Sequence, residues 1–580
     1  MNPIRFLQAA VIALLLTGCG NDETDTPDRA GTPEPSSPPG ASAPTTDDAL
    51  NPLLDRVSAD TAYLFANLER LPDAVSAKAW EINELNAQQQ TSLLLDLADD
   101  EELPPAMRVL FERISTLSSR EGWMAAGLHP NPFLAVHTVD MLPALELELS
   151  DGVAFDAFVA GIEVELEQPL VRRDVDGREV IWIELRPGFG LGLTHDGSTL
   201  SAALTFDDAA SLARLTGRTG PVEALGSDGL QAFNREAALG PNGSGFIDIR
   251  RLTAGLLDAD SSLMKLADEG EKARFREVIE NPACVAEYTA VANALPRSVF
   301  GYTRLDAERM DMLFRQELTA DLATALQALA AAPVALERDL NGLFHLGLAV
   351  DLIAAREFAR GLVAGWAENP PTCPSFATIA AGAPAWQQTL SQPVPPVVTN
   401  LHGLFLEANT LELGDGPVPV GGGTLALYMR QPEVLVGMAQ MFAPAVAAMD
   451  LRPGGDPVRV PDELAAGLGQ TGLEFWMAMA ESALGLAVGE EQVPALQGSL
   501  AKTTVDDNLL AGRMDISLLP QLIDFARGTI ADIEDDEMAA ALEVQRAQYV
   551  ALAEVYDRSS FQLKLTERGI ELLSQTTFKQ

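Results

Sequence analysis

The feature that most constrains the fold is an order of predicted strands and helices that occurs twice along the chain. Apolar and polar residues alternate through short segments, which is typical of strands, and helical segments follow them in the same order in both halves. Five segments therefore have counterparts: 62–68 with 344–350, 133–162 with 403–442, 181–193 with 475–486, 245–257 with 512–525, and 298–318 with 560–578. This recurrence predicts a tandem duplication whose period is too long for a solenoid.

A tryptophan and a Leu-Gly-Leu sequence recur in nearly the same place in both halves. Trp182 is followed by Leu191-Gly192-Leu193, and Trp476 is followed by Leu484-Gly485-Leu486. We expect the two tryptophans to occupy equivalent strands. Both are interpreted as packed core residues, with stacking on a ligand as the alternative.

The sequence predicts an α+β fold of two related lobes, residues 49–325 and 326–580. The pairs Asp176-Gly177 and Asp196-Gly197 suit the positive φ of tight hairpins, and short hairpin connections require antiparallel strands. The alternation predicts that only one face of each sheet is fully buried. Each lobe is therefore expected to be a mainly antiparallel sheet with helices packed on one face.

Helices are predicted where acidic caps or apolar periodicity begin a segment. Asp151 precedes the helical pattern at 153–162, and Asp207 precedes the one at 209–215. Further helical segments are predicted at 72–85, 91–98 and 105–117.

Composition restricts the classes of partner. The chain has 580 residues, a formal net charge of −44 and 47% hydrophobic residues, which together indicate a globular, strongly acidic body. The acidic residues are spread along the chain without a basic patch, so phosphate backbones would be repelled and nucleic acid is not expected as a partner. The same charge disfavours lying flat on anionic lipid.

The N-terminal segment restricts the compartment. Arg5 precedes an apolar run at 6–16 that is too short to span a bilayer, and the run ends in Leu16-Thr17-Gly18-Cys19. This arrangement resembles the signal peptide and lipobox of bacterial lipoproteins. The resemblance implies that residues 1–18 are a cleaved signal peptide and that Cys19 carries a diacylglyceryl thioether and an acylated amino group, palmitate being a typical acyl chain.

The anchor and the segment after it predict how the body is held. Residues 19–48 are interpreted as the lipidated cysteine and a disordered tether rich in Pro, Thr, Ser and Asp, with no apolar residue larger than alanine apart from proline. We expect a lipid-anchored, periplasm-facing protein of the bacterial cell envelope. Gly20 replaces the aspartate that retains many lipoproteins in the inner membrane, so the resemblance favours the outer membrane.

The start of the body has its own resemblance. Val57-Ser58-Ala59-Asp60-Thr61-Ala62-Tyr63-Leu64-Phe65 and the repeated strand–helix order look like bacterial lipoproteins classed under a domain of unknown function. The resemblance covers the mature body through loose motifs, and it carries no catalytic residue over to this chain.

Two cysteines remain once Cys19 is lipidated, Cys284 and Cys373. Two thiols in an exported protein are most simply a disulfide. Two free buried thiols are the alternative, and a metal site would need histidine ligands at a spacing that the sequence lacks. Both cysteines lie in segments that resemble helix starts.

No motif assigns chemistry to the body. The five histidines, His129, His137, His195, His345 and His402, form no pair at metal-ligand spacing. Gly243-Ser244-Gly245 is not a nucleophile elbow, and Gly421-Gly422-Gly423 lacks the lysine of a phosphate-binding loop. The sequence therefore predicts no catalytic, cofactor-binding or metal-binding residues, and no cofactor.

The function predicted from these observations is that of a non-catalytic envelope lipoprotein. We expect it to attach to the membrane through Cys19 and to bind an amphiphile, another ligand or an envelope protein between or beside its lobes. The alternatives are a hydrolase that acts on envelope polymers or lipids with carboxylates as acid and base, and a structural spacer.

Overall fold

The computed structural model describes residues 50–84, 104–330, 342–412, 420–465, 473–501, 508–530 and 536–579. It is 46% helical and 31% strand with a large antiparallel sheet, which confirms the predicted mixture of helices and antiparallel strands. The lipobox with Cys19, the tether and the predicted helix at 91–98 lie outside the described residues. Within the described ranges, no helix is long and apolar enough to span a bilayer.

The chain divides into two compact units. One unit holds residues up to Phe275 together with Val299–Ala307, and the other holds Arg276–Ser298 together with residues from Glu308 onward. This division follows contacts within each unit, whereas the predicted boundary after residue 325 rested on the recurring order of segments. That boundary stays a prediction.

The first unit contains nine strands and eight helices among its described residues, besides shorter 3-10 turns. Its strands are β1 (Tyr63–Ala66), β2 (Leu134–Val139), β3 (Leu142–Glu148), β4 (Val171–Val175), β5 (Arg178–Arg186), β6 (Phe189–His195), β7 (Thr199–Phe206), β8 (Ser244–Asp248) and β9 (Arg297–Leu305). Its helices are α1 (residues 73–84), α2 (Pro105–Ser115), α3 (Arg120–Ala125), α4 (Gly152–Leu166), α5 (Ala209–Leu215), α6 (Gly226–Ala237), α7 (Ile249–Leu256) and α8 (Ser262–Leu266). Helix α9 (Glu269–Ile279) crosses the division, as do the first residues of β9.

Local chemistry accounts for several of these elements. The carboxylate of Asp151 accepts hydrogen bonds from the backbone N–H groups of Val153 and Ala154 and so caps α4. Asp208 rather than Asp207 caps α5 in the same way. Asp176 and Gly177 have φ values of 52° and 79°, as the tight turn between β4 and β5 requires.

The sheet of the first unit is antiparallel. Pairing runs in the order β4-β5-β6-β7-β3-β2-β1-β8, and β3 lies near its middle between β2 and β7. Leu145 is opposite Val136 on one side and Ala202 on the other.

Helices cover both faces of this sheet, so the expectation of helices on one face is wrong. Leu145 and Leu147 belong to a core with Phe155 of α4, whereas Ala144 belongs to a core with Leu212 of α5. Adjacent residues of a strand point to opposite faces. Both faces are therefore buried, and alternation in this sequence marks a change of polarity rather than a change from core to solvent.

Among its described residues, the second unit contains more strands and helices than the first. Its strands are β10 (Arg309–Glu317), β11 (Phe344–Ala349), β12 (Leu401–Glu412), β13 (Val420–Met429), β14 (Val458–Arg459), β15 (Phe475–Ala480), β16 (Ala483–Val488), β17 (Asn508–Asp515), β18 (Tyr556–Thr566) and β19 (Gly569–Phe578). Its helices are α10 (Pro282–Ala294), α11 (Ala320–Gln327), α12 (Leu352–Glu368), α13 (Ala377–Ser391), α14 (Pro396–Asn400), α15 (Pro432–Phe442), α16 (Pro444–Ala447), α17 (Asp462–Ala465), α18 (Val493–Ala501), α19 (Leu518–Ile530) and α20 (Asp536–Val555).

The sheet of the second unit is also antiparallel and covered on both faces. Pairing runs in the order β14-β15-β16-β13-β12-β11-β17-β18-β19-β10. Tyr428 packs in a core with Leu496 of α18, whereas its neighbour Met429 packs in a core with Val436 of α15. The one-face expectation fails here for the same reason.

Counted outward from β3 and from β13, the two tryptophans lie at different positions in their sheets, and their equivalence stays a prediction. Trp182 lies on β5, the third strand out from β3 (β3-β7-β6-β5), whereas Trp476 lies on β15, the second strand out from β13 (β13-β16-β15). The first unit has four strands in this part of its sheet and the second has three. Trp182 is 1% exposed and is a core residue, as predicted.

Cys284 and Cys373 are joined by a disulfide, with their Cα atoms 4.6 Å apart. Cys284 lies in the first turn of α10, and Cys373 directly precedes the 3-10 turn Pro374–Phe376, so both lie at helix starts. Glu287 of α10 accepts hydrogen bonds from the backbone N–H groups of Thr372 and Cys373. Both cysteines lie in the second unit, whereas the cavities described next lie in the first.

Candidate ligand-binding site

The first unit contains a cavity of about 710 Å³ above the even-numbered residues of β3. We call it the polar cavity. Its floor includes His137 of β2, Ala144 and Glu146 of β3, and Thr205 of β7. The short side chain of Ala144 leaves space above the middle of the sheet. The volume falls in the range of about 300–1,000 Å³ that is typical of small-molecule sites.

His137 lies in this floor directly opposite Ala144. Its side chain is 2% exposed, and neither ring nitrogen has a hydrogen-bond partner among the described residues. Burial lowers the pKa of His137 to about 4, against a smaller opposing effect of the Thr138 backbone. The imidazole is therefore neutral at pH 7 and offers one N–H donor and one acceptor nitrogen.

Glu146 lies on the same face, two residues along β3 from Ala144 and opposite Ser201. Ser201 Oγ donates to Glu146 Oε2 at 2.6 Å, and Arg56 Nη1 lies 3.3 Å from the same oxygen. Burial raises the pKa of Glu146 to about 7, although the Ser201 hydroxyl and the Arg56 guanidinium both act to lower it. Near pH 7 this carboxyl can therefore either donate or accept a hydrogen bond.

Arg56 reaches the cavity from the end of the 3-10 turn Pro52–Arg56. The side chain of Asn51 accepts a hydrogen bond from the Leu53 N–H and caps this turn. Arg56 Nη1 donates to Ser201 Oγ at 2.8 Å, and Nη2 donates to Asp196 Oδ2 at 2.6 Å in the β6–β7 turn. The guanidinium therefore connects the N-terminal segment to the sheet and to the buried carboxyl of Glu146.

The other arginines around the polar cavity also have partners, either carboxylates or backbone carbonyls. Four arginines and four carboxylates line it in a protein whose net charge is −44, and the carboxylates other than Glu146 are exposed. Besides Arg56, the arginines and their partners are Arg178 with the carbonyl of Thr216, Arg214 with Asp140, and Arg251 with the carbonyls of Ala59 and Thr61. The cavity is thus locally balanced in charge, unlike the chain as a whole.

A second cavity, of about 180 Å³, lies over the odd-numbered residues of β3 and beneath α2, α3 and α4. We call it the apolar cavity. Every side chain that lines it is apolar, including Phe111, Trp123, Leu145, Leu147 and Phe155. An engineered apolar cavity of roughly 150 Å³ stays dry and admits benzene. The apolar cavity therefore suits hydrocarbon and offers water no hydrogen-bond partner.

The other four histidines do not line the polar cavity. His129 Nδ1 accepts from the Asn131 N–H, and His195 Nε2 lies 2.9 Å from Asp156 Oδ1. His345 lies opposite Glu407 in the second unit, where burial lowers its pKa to about 4, with a further effect of the charge on Arg513. His402, at the start of β12, is buried as well.

Sequence reasoning missed the residues that form the polar cavity. His137 and Glu146 alternate with apolar residues, as solvent-facing residues of a half-buried strand also do. The available signal was that polar and small residues recur together on β2, β3 and β7, but only the fold shows that helices cover them.

Neither a metal centre nor a match to a known protein assigns these cavities a role. Among the described residues, no group of three or more His, Cys, Asp or Glu side chains is placed to hold a metal ion. No protein-family model, curated protein or solved structure matches the chain.

Proposed function

We propose that this chain is a non-catalytic lipoprotein of the bacterial cell envelope that binds an amphiphile through its hydrocarbon part. The observation that carries the binding role is the apolar cavity, because all of its lining side chains are apolar. A hydrocarbon chain placed there would exchange water for apolar contacts at roughly 25 cal/mol per Å² of buried surface. The envelope location rests on the lipobox-like Leu16-Thr17-Gly18-Cys19.

Membrane attachment is proposed to depend on lipidation of Cys19, with the outer membrane favoured. Replacing this cysteine with alanine should move the protein from the membrane pellet to the soluble fraction, because alanine cannot carry the acyl chains that are proposed to anchor it. A variant that still pelleted with membranes would contradict this part of the proposal.

Amphiphile binding is tested with a fluorescent fatty acid, cis-parinaric acid, and the full-length Cys19→Ala chain without detergent. We expect a saturable rise in probe fluorescence. Ala202 lines the apolar cavity, so Ala202→Phe should fill it and weaken binding at least tenfold, which corresponds to about 1.4 kcal/mol.

The matched control is Ala157→Phe, because Ala157 lies on the exposed side of α4. Its affinity should equal that of the parent chain, and both variants should keep the parent circular dichroism spectrum. Equal affinity of Ala202→Phe and the parent, or no saturable signal, would refute amphiphile binding in this cavity.

A tandem duplication is also proposed as the origin of the two units. The support is that β1, β2 and β3 pair with one another and with β7 and β8 in the same order as β11, β12 and β13 pair with one another and with β16 and β17. In this alignment, β4 to β7 are replaced by the three strands β14 to β16. The proposal requires that these two sets of five strands superpose with their connections in the same order.

A hydrolase is the second candidate, and Glu146 is the feature that favours it. A carboxyl with a pKa of about 7 has the value expected of a general acid or base at neutral pH. Incubation of the purified chain with cell-wall fragments should give no turnover if the protein only binds. Turnover that Glu146→Gln abolished would replace the binding proposal with the hydrolase.

A further inference from the structure

The residues that line the polar cavity include His137 and Glu146, whose hydrogen-bonding capacity is not fully used by the described residues. Both ring nitrogens of the buried His137 lack a partner among the described residues. The hydrogen bonds that Glu146 accepts from Ser201 and Arg56 both go to Oε2, and Oε1 accepts none from the part of the chain that the structure describes. An unpaired buried polar group is costly to a folded protein, so a ligand that satisfied these groups would recover that cost.

The distance between His137 and Glu146 restricts which ligands can contact both side chains. His137 is opposite Ala144, and Glu146 is the next residue of β3 on the same face. Such diagonal positions on antiparallel strands are about 7–8 Å apart. One small molecule can therefore reach both groups only if it carries polar groups at several positions along its length.

The charged residues that line the cavity restrict the charge of the ligand. Three of the four lining arginines already pair with carboxylates, and the fourth, Arg178, donates to a backbone carbonyl. Because four carboxylates line the cavity as well, an anion would gain no net attraction there. The neutral imidazole of His137 both donates and accepts, and a hydroxyl group does the same. The cavity therefore matches hydroxyl groups better than it matches a charged group.

We propose that the polar cavity binds a small uncharged polyol or sugar, whose hydroxyl groups contact His137 and Glu146. This site lies on the face of the sheet opposite the apolar cavity, as the alternation of Glu146 with Leu145 and Leu147 along β3 requires. The inference does not depend on amphiphile binding, and either site can exist without the other.

The test compares molecules of one size that differ in charge. Isothermal titration calorimetry of the full chain, kept in a polyoxyethylene detergent that has no sugar headgroup, is carried out at pH 7 with glucose, sorbitol, gluconate and glucosamine. We expect glucose or sorbitol to bind, and gluconate and glucosamine to bind at least tenfold more weakly. Binding of gluconate or glucosamine as tightly as the uncharged molecules, or no binding of any of the four, would overturn the proposal.

Variants assign the binding to the cavity. His137→Leu and Glu146→Gln should each lower the affinity at least tenfold, and the second keeps the shape of the side chain if the first fails to fold. His345→Leu is the matched control, because His345 is also buried but lies in the second unit. Its affinity should stay within twofold of the parent chain, and a parent-like affinity of both cavity variants would overturn the assignment.

Discussion

The two faces of the first sheet are built from neighbouring residues of the same strands, yet they differ in chemistry. Leu145 and Leu147 face an apolar core under α2 and α4. Glu146, between them, faces the opposite way, toward Ser201 and Arg56. Both faces are covered by helices or turns, so they differ in the polarity of their side chains but not in being buried. The polar face is a buried layer of hydrogen-bonding groups rather than a solvent-exposed surface.

The hydrogen bonds on the polar face do not satisfy all of its groups equally. Glu146 has two partners at one oxygen, whereas His137 has none and the indole N–H of Trp182 also lacks one among the described residues. Unpaired buried groups of this kind cost roughly 1–3 kcal/mol each. The apolar face should therefore carry most of the stability of the unit, while the polar face retains groups that oppose it.

The largest effect is expected on the apolar face. Phe155 is 5% exposed and packs in the core under α4, so Phe155→Ala should lower the stability of the first unit by roughly 3–5 kcal/mol. Hydrogen exchange of peptides that cover β3 measures the free energy of opening of this unit separately from the second. The control is Val153→Ala on the same helix, where the parent side chain is 77% exposed and the change should stay within about 0.5 kcal/mol. A loss below about 1 kcal/mol for Phe155→Ala would show that the apolar face does not carry the stability.

Much of the secondary structure could be predicted from the sequence because its causes are local. The Asp176-Gly177 turn and the Asp151 cap act through backbone geometry and hydrogen bonds within a few residues. The predicted helix at 209–215 is confirmed and has an equally local cause, although Asp208 rather than Asp207 is its cap.

The covering of both faces could not be predicted from the same patterns. A polar residue that alternates with leucine gives one sequence pattern whether it faces water or a buried cavity, and the pattern at Glu146 is of this kind. What decides between the two is the position of Arg56 and of α5, which come from distant parts of the chain. The candidate site therefore could not be predicted from the sequence, because the sequence does not show that His137 and Glu146 lie together in a covered cavity.

The next effect concerns the pH dependence of the polar face. The folded pKa of Glu146 is about 7, above the ordinary value of 4.5, so this group favours the folded state below pH 4.5 and loses that contribution as the pH rises to 7. Glu146→Gln removes the dependence. The variant should gain roughly 2–3 kcal/mol relative to the parent between pH 4.5 and pH 7, measured by hydrogen exchange corrected for the intrinsic rate.

Glu148 on the same strand provides the matched control of opposite sign. Burial alone would raise its pKa, but hydrogen bonds from Arg70 and from the Phe133 N–H outweigh burial, so its pKa is lowered. Such a group stabilises the folded state above the unfolded pKa and loses that contribution as the pH falls. Glu148→Gln should therefore lose stability relative to the parent as the pH rises. If the stability of both variants relative to the parent changed in the same direction with pH, the environments assigned to Glu146 and Glu148 would be contradicted.

A smaller pH effect should separate the buried histidines of the two units. His137 and His345 both have a pKa of about 4 in the folded protein, below the ordinary 6.5, so each penalises folding as the pH falls below 6.5. His137→Leu removes this penalty from the first unit and should gain about 1 kcal/mol relative to the parent between pH 6.5 and pH 5.5. Peptides of β2 should report this gain and those of β12 should not, whereas His345→Leu should reverse the pattern. A gain in both sets of peptides from one variant would mean that the two units do not unfold separately.

The smallest effect is expected where the polar face of the first sheet reaches solvent. Arg173 Nη2 and Nε donate to the two carboxylate oxygens of Asp207 at 2.9 and 3.2 Å, and the two side chains are 39% and 26% exposed. Like the contact between Arg56 and Glu146, this is an arginine–carboxylate pair, but water screens it. Arg173→Ala should therefore cost less than about 1 kcal/mol, and the cost should shrink between 0.05 M and 1 M NaCl. Arg56→Ala also breaks a partly exposed pair with Asp196, which salt screens in the same way. In the Asp196→Asn background, where only the contact with the 7% exposed Glu146 remains, the cost of Arg56→Ala should depend less on salt than that of Arg173→Ala. An equal salt dependence in that background would mean that the Glu146 carboxyl is as well screened as Asp207.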